Sequence, residues 1–327
     1  MSLHPFEKLT PDFILTAIET ADLVCDGRLF ALNSYENRVY QIGLEEAEPL
    51  IAKFYRPERW SALQILEEHQ FTKTFVEHEL SVVAPWQNVT GDTLFFYEGF
   101  HFALFPQKGG HAPELDNPDH LEILGRALGR MHAIGATKDF EHRIKLNIDQ
   151  MGTQSVELIA KDFIPADLKI SYLSLTNDLL KHIEQQRIRL ESFTYLRIHG
   201  DCHPGNILWR NNTPHFVDFD DAIMAPAIQD IWMLLSGEQQ QQRDQLQCIL
   251  AGYEDFHEFN YGELSQIEVL RTLRMLNYSA WIARRWDDPA FPHSFPWFNT
   301  SRYWSDHILQ LREQLGALQA PALTVGN

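Results

Sequence analysis

The chain has 327 residues, 44% of them hydrophobic, enough to bury one large core or two modest ones. Its formal net charge of −18 argues against nucleic acid as a main partner, because phosphate binding calls for a basic surface. No apolar run approaches the roughly 20 residues that span a bilayer, no secretory leader is legible, and the three cysteines are scattered, so a reduced, cytoplasmic protein is expected.

Thr10 and Pro11 read as an N-cap and a first helical position, opening a helix through residue 18. Three short strands rich in aromatic and aliphatic residues are predicted over 28–33, 38–43 and 50–55. The turn between the first two, residues 33–37, is polar and lacks glycine. Lys53 interrupts the apolar third strand. A helix over 61–77 carries Glu67 and Glu68. Neighbours on a helix point about 100° apart, so one of the two can face Lys53. Strands over 93–97 and 100–105 meet at Gly99. Residues 106–118 are loop-like, and this shift in composition marks the best boundary: a first lobe over 1–105, a linker, and a second lobe over 119–327. The lone Lys108-Gly109-Gly110 lacks the G-x-x-x-x-G-K-[ST] frame, which excludes a P-loop.

From residue 119 the pattern turns helical, with Leu121, Leu124, Leu128 and Met131 at core-facing spacing. A further helix is expected over 170–186 and a short strand over 195–199. Strands over 207–210 and 215–218 read as a hairpin turning at 211–214. Helices over 227–236, 239–256, 263–285 and 303–317 complete the chain.

Two stretches carry the chemistry. The first runs His199-Gly200-Asp201-Cys202-His203-Pro204-Gly205-Asn206-Ile207-Leu208, and the second runs Phe216-Val217-Asp218-Phe219-Asp220-Asp221-Ala222. Glycine and proline rule out a regular helix across the first. Asp201, Asn206 and Asp218 therefore sit in loops between short apolar strands, where two carboxylates and an amide can converge. Phosphoryl transfer from Mg-ATP needs that set: one Asp to accept a hydroxyl proton, an Asn and an Asp to hold Mg²⁺. An aspartate in a loop is more often a turn former, and the spacing to Asn206 and Asp218 is what overturns that reading for Asp201. A zinc site at His199, Cys202 and His203 is disfavoured because glycine and proline destroy helical i,i+4 geometry. Cys202 reads as a small buried side chain.

The two motifs resemble the catalytic and metal-binding loops of the kinase superfamily, in its aminoglycoside/choline-kinase-like branch. Residues 32–40 (LNSYENRVY), 53–60 (KFYRPERW), 226–230 (PAIQD), 284–286 (RRW) and 288–292 (DPAFP) are similar to the bacterial stress response kinase A family. The resemblance implies a two-lobed α+β kinase-like fold, a small antiparallel-sheet lobe preceding a large helical lobe. It implies Lys53 as the lysine that holds the α- and β-phosphates of ATP, with Glu68 as its anionic partner and Glu67 as the alternative. It places Ser34 in the loop over the nucleotide, with no glycine to help the backbone approach phosphates. Phe105 and Gln107 fall at the hinge that meets adenine, and Asp230 holds the backbone of the catalytic loop. Asp220 and Asp221 are left without a metal role.

The acceptor is open at this level. A monomeric serine/threonine protein kinase of the stress response is the reading implied by the resemblance. A small-molecule alcohol kinase uses the same motifs, and a non-catalytic nucleotide-binding scaffold is a third possibility. An acidic acceptor cleft would favour a cationic small molecule, and an open groove a peptide. The aromatic, basic segment 284–297 either lines that cleft or packs on the second lobe.

Overall fold

The computed structural model describes residues 4–325. The chain forms a small lobe built on one sheet and a larger, mainly helical lobe, the α+β two-lobed architecture expected. In the first lobe α1 (Pro11–Glu19) opens on Thr10, whose side chain accepts the Phe13 N–H, with Pro11 at the first helical position. The strands are β1 (Cys25–Leu32), β2 (Arg38–Leu44), β3 (Ala47–Phe54), β4 (Phe95–Tyr97) and β5 (Phe100–Pro106). They form one antiparallel sheet in the order β1-β2-β3-β5-β4, so β3 is central. Lys53 stands on β3 between Val39 of β2 and Ala103 of β5. The apolar face of the sheet buries Ile42, Ala52, Phe54 and Phe102 beneath Ile14 and Ile18 of α1. Between β3 and β4 lies α2 (Ala62–Glu77), started by a capping box in which Ser61 and Gln64 satisfy each other's backbone N–H groups. Its Phe71 and Phe75 join the core of the second lobe.

The second lobe contains α3 (Pro118–Gly135), α4 (Ile148–Met151), α5 (Thr153–Asp162) and α6 (Lys169–Glu191). Then come β6 (Leu196–Ile198), β7 (Ile207–Arg210), β8 (Thr213–Phe216) and β9 (Ile223–Ala225). The helices α7 (Ile228–Ile231), α8 (Gln239–Tyr253), α9 (Ile267–Ala283), α10 (Ala290–Ser294) and α11 (Ser301–Gln319) follow. The core that these elements share is continuous from Leu121 of α3 to Leu311 of α11. A Cβ at Gly125 would collide with the Ile249 carbonyl, so α3 and α8 approach backbone to backbone there.

Four predicted boundaries need correction. The hairpin turn is two residues, Asn211 and Asn212, both at positive φ (52° and 55°), a conformation asparagine tolerates. Thr213 and Pro214 belong to β8, which ends at Phe216 and leaves Asp218 outside the strand. The helix expected over 227–236 is the single turn of α7 followed by a 3₁₀ turn, Trp232–Leu234. The helix expected from 263 begins at Ile267, after a 3₁₀ segment over Tyr261–Gln266. The amphipathic helix α5, which buries Val156, Ile159 and Ala160, went unpredicted.

Candidate active site

The catalytic loop leaves the short strand β6, which pairs with β9. Its first two amides find a side-chain partner in place of a strand: the buried Asp230 accepts the His199 and Gly200 N–H groups, each at 2.9 Å. His132 of α3, 3.1 Å away through Nε2, fixes the same carboxylate. Asp230 thus braces the loop as expected. Gly200 has φ of 84°, and a Cβ there would meet the Asp221 carbonyl at 2.1 Å, so no other residue fits. His199 lies 2.9 Å from the Val217 carbonyl through Nε2 and takes the Asp201 N–H on Nδ1 at 3.4 Å. One imidazole therefore ties the two motifs together.

Asp201 lies at the mouth of this loop. Arg274 Nη1 is 2.7 Å from its Oδ1, His203 Nε2 is 3.5 Å from Oδ2, and the Asn206 amide reaches Oδ2 at 3.4 Å. Burial alone would raise the Asp201 carboxyl, but the Arg274 and His203 charges outweigh it and hold the group below its ordinary range. Asn206 also donates from Nδ2 to the Asp201 carbonyl at 3.0 Å, which leaves its Oδ1 without a hydrogen bond among the described residues.

Asp218 follows Val217 in the left-handed region, φ 61° and ψ 64°, which turns its carboxylate out of line with β8. The side chain is 54% exposed, and Lys53 Nζ sits 2.7 Å from Oδ1. Lys53 is buried and lies 3.3 Å from Asp220 Oδ1 as well. Burial opposes its charge, yet the Asp218 and Asp220 carboxylates reverse the balance and keep the ammonium charged. Asp220 itself is buried, bound by Arg59, by Lys53 and by the Asn37 amide at 3.2 Å. Burial works to raise its carboxyl, and the surrounding Arg59, Lys53 and Arg143 charges drive it far down.

The expected ion pair between Lys53 and Glu68 is not formed. Glu68 is buried on the inward face of α2, and its ion-pair contact is with Arg143 Nη1 at 3.5 Å. Two carboxylates of the loop after β8, Asp218 and Asp220, have taken the lysine instead. Burial raises the Glu68 carboxyl to about 7 despite the Lys53 and Arg143 charges nearby. The neighbouring Glu67 faces the second lobe, where it accepts the backbone N–H groups of His142 (3.0 Å) and Arg143 (2.8 Å). Arg143 continues into the metal loop through the Ala222 and Asp220 carbonyls.

Of these groups, Lys53, Glu68, Asp201, Asn206, Asp218 and Asp220 line one cleft of about 1170 Å³ between the lobes. At one end Val39, Ile51, Phe105 and Leu208 make an apolar slot, with Gln107 at its edge. Over it runs the loop 33–37. Ser34 lines the cleft, and its hydroxyl donates to the Asn37 carbonyl at 2.9 Å, so it shapes the loop. Glu36 fastens the loop across the cleft: it accepts Trp281 Nε1 at 2.6 Å and Arg285 Nε at 2.9 Å. At the other end stand Arg274, Tyr278, Trp281 and Arg284 of the α9 wall, facing Lys145 and Asn147. The segment 284–297 divides accordingly. Arg284 and Arg285 line the cleft, Phe291 and Phe295 are buried, and Asp288 pairs with Arg38 (2.9 Å) and Arg56 (2.8 Å). Arg274, Arg59 and Asn37 were missed from sequence. The repeat 274, 278, 281, 285 on one helical face was the available signal for Arg274.

Fold and site together define an α+β phosphotransferase of the kinase-like class. The model of the phosphotransferase enzyme family matches residues 29–267. Stress response kinase A of Escherichia coli (strain K12) is 46% identical over 323 residues, covering 98% of this chain and 97% of that protein. The serine/threonine protein kinase RdoA of Salmonella typhimurium is 43% identical over 319 residues, covering 97% and 96%. Among solved structures, the amicoumacin kinase hAmiN superposes with a TM-score of 0.74 at 19% identity over 96% of each chain, a likeness of fold. The chain belongs to the phosphotransferase enzyme family and, within it, to the stress response kinase A proteins. It is a kinase. No helix among the described residues is long and apolar enough to cross a membrane.

Proposed function

We propose that the chain is a Mg²⁺-dependent serine/threonine protein kinase that moves the γ-phosphoryl group of ATP to a hydroxyl, with Asp201 as base. One observation carries this reading: Asp201, Asn206, Asp218 and Lys53 line a single cleft, Asn206 bonded to Asp201 and Lys53 to Asp218. The adenine would lie in the slot by Phe105 and Gln107, against the linker 106–118 that joins a nucleotide lobe (1–105) to a catalytic lobe (119–327). Lys53, already charged and buried at the phosphate end, would hold the phosphates. Ser34 would act through the shape of the covering loop. Glu68 would act from behind Lys53, through its charge.

The donor set fits Mg²⁺. Asn206 Oδ1 has no hydrogen-bond partner among the described residues, and Asp218 presents a half-exposed carboxylate, both hard oxygen donors. No cluster of three or more His, Cys, Asp and Glu able to hold a metal occurs among the described residues, so phosphate oxygens would complete the shell. When bound, the ion supplies positive charge against the phosphate oxygens.

Asp201 is ionised at neutral pH and has its Oδ1 occupied by Arg274, which leaves Oδ2 to accept the acceptor's proton. The acceptor oxygen bonds to the γ-phosphorus, the bond to the β–γ bridging oxygen breaks, and ADP leaves with that electron pair. Positioning and charge stabilisation do most of the work. The naming of relatives as serine/threonine and stress response kinases supports the protein acceptor. Three free cysteines, Cys202 buried among them, accord with the reducing cytoplasm.

Transfer from γ-labelled ATP with Mg²⁺, wild type against Asp201→Ala, tests the reading on protein acceptors and a panel of small alcohols. Label on protein serine or threonine that disappears in the variant supports it. Label on a small alcohol alone replaces the acceptor and keeps the mechanism. ATP binding with no Asp201-dependent transfer would put the scaffold reading first.

A further inference from the structure

The acceptor end of the cleft has a distinctive charge. Arg274, Tyr278, Trp281 and Arg285 recur at i, i+4, i+7 and i+11, and Asn277 and Arg284 flank them at i+3 and i+10. This places two aromatic rings and three guanidinium groups on one wall of the cleft. Tyr278 and Trp281 are stacked at 5.9 Å with 21° between planes. Lys145 stands on the same end of the cleft.

The acids that neutralise this wall are few. Arg285 is matched by Glu36, and Arg274 by Asp201. Arg284 has no carboxylate within ion-pair distance among the described residues. Its guanidinium donates to neutral oxygens: Asn277 Oδ1 and Ser155 Oγ, both at 3.1 Å, and the Gln150 carbonyl at 3.5 Å. Partial burial with no compensating anion pulls its pKa down, the signature of a cation lacking a counter-charge. The remaining acids of the cleft, Asp218, Asp220, Asp221, Glu36 and Glu68, belong to the metal loop, the covering loop and α2. There Lys53, Arg59, Arg143 and Arg285 engage them. A chain of net charge −18 thus keeps an excess of positive charge where its acceptor must enter.

We propose that Arg284, with Arg274 and Lys145 beside it, forms a subsite for an anionic group on the acceptor: the hydroxyl phosphorylated is that of a serine or threonine with an acidic or phosphorylated side chain close by in the same peptide. The inference rests on the protein-kinase reading and sharpens it. A planar guanidinium matches a carboxylate or phosphate in two parallel hydrogen bonds. The stacked Tyr278 and Trp281 offer the apolar face on which the intervening peptide would lie. A polycationic aminoglycoside or a quaternary amine would meet Asp201 and Glu36 at this wall, and both are already paired, Asp201 with Arg274 and Glu36 with Arg285 and Arg56.

The test pairs peptides that share one serine and differ in the residues two positions to either side: glutamate, phosphoserine, alanine or lysine. The glutamate and phosphoserine peptides are expected to be labelled at least tenfold more efficiently, in kcat/KM, than the lysine peptide. Arg284→Gln is expected to lose most of that discrimination through a raised KM for the anionic peptides, and Arg284→Lys to retain part of it. Arg284 keeps part of its surface in solvent, and unfolding midpoints near the wild-type value serve as the folding control. Equal use of all peptides, a preference for lysine, or an Arg284→Gln loss that is uniform across the set would each overturn the subsite. If no peptide is labelled while a small alcohol is, the protein-kinase reading fails separately. Hydroxy acids are then set against hydroxy-amines, and a preference for the hydroxy-amines would overturn the charge assignment as well.

Discussion

Arg274 holds Asp201: its Nη1 lies 2.7 Å from the carboxylate Oδ1, and it is the strongest of the charges that keep Asp201 ionised against its burial. Arg274 is therefore a positioning residue for the proposed base. With Arg274→Gln, burial is no longer outweighed and the Asp201 pKa rises. The acid limb of the kcat/KM profile is expected to move to higher pH. Activity at mildly acidic pH falls relative to wild type and recovers in part as pH rises. Arg274→Lys restores much of the limb's position. A uniform loss at every pH would assign Arg274 to acceptor binding alone.

Asp230 is fully buried, accepts two backbone amides and faces the buried His132. Replacing it with alanine leaves two N–H groups and the Nε2 of His132 unpartnered. The expected destabilisation is about 3–5 kcal/mol, the range for breaking a buried polar network from one side. Urea unfolding measures it. Loss of activity with unchanged stability would show that the brace is not carried by this carboxylate.

Much of this was legible in the sequence, and the reasons are local. Gly200, Pro204 and Gly205 exclude helix, so Asp201 and Asn206 had to share a loop. Pro11 and Ser61 open helices because their positions suit a first turn and a cap. Lys53 was recognised on its strand, but its partner was misjudged. Which carboxylate reaches it depends on how the loop after β8 folds back, and Asp218 does so through a left-handed backbone that sequence does not announce. Asp220 looked like one more acid in a run. Its burial among Arg59, Lys53 and Asn37 arises from contacts more than 160 residues apart. Arg274 was equally hidden, since a helix stripe of mixed charge reads as a solvated face until the cleft beside it is known.

Glu68 is the carboxylate that burial raises to about 7. A raised acid contributes stability that is fully present below its unfolded pKa, near 4.3, and lost as pH climbs through the folded value. Glu68→Gln removes that titration. Wild type and variant are expected to unfold at similar temperatures at pH 5, and the variant to gain relative to wild type between pH 5 and 8. The gain at pH 8 is expected to be about 1–3 kcal/mol, the rise from near 4.3 to about 7 at 1.36 kcal/mol per pH unit, discounted for relaxation. A variant less stable at pH 8 than at pH 5, compared with wild type, would mean that the Glu68 charge supports Lys53 and Arg143 more than burial penalises it.

Asp218 and Asp220 are two residues apart and should fail in opposite ways. Asp218 is 54% exposed and in the left-handed region, which asparagine accepts, so Asp218→Asn gives up its pair with Lys53 but is expected to lose clearly less stability than Asp220→Asn. What it loses is the anionic oxygen proposed for Mg²⁺. Its activity should drop about a hundred- to a thousandfold, with a higher Mg²⁺ concentration needed for half-maximal rate. Asp220→Asn keeps the shape but removes a buried negative charge from between Arg59 and Lys53. Those cations are left uncompensated, and a loss of about 3–5 kcal/mol is expected in urea unfolding. The Asp220 carboxyl is held far below its ordinary value, so its contribution is present above pH 4 and lost as acid protonates it. The stability deficit of Asp220→Asn should accordingly shrink as pH falls below 4, while the Mg²⁺ dependence of Asp218→Asn persists across the neutral range. Equal stability losses in the two variants would contradict the division of one loop into a metal-facing and a lobe-bridging carboxylate.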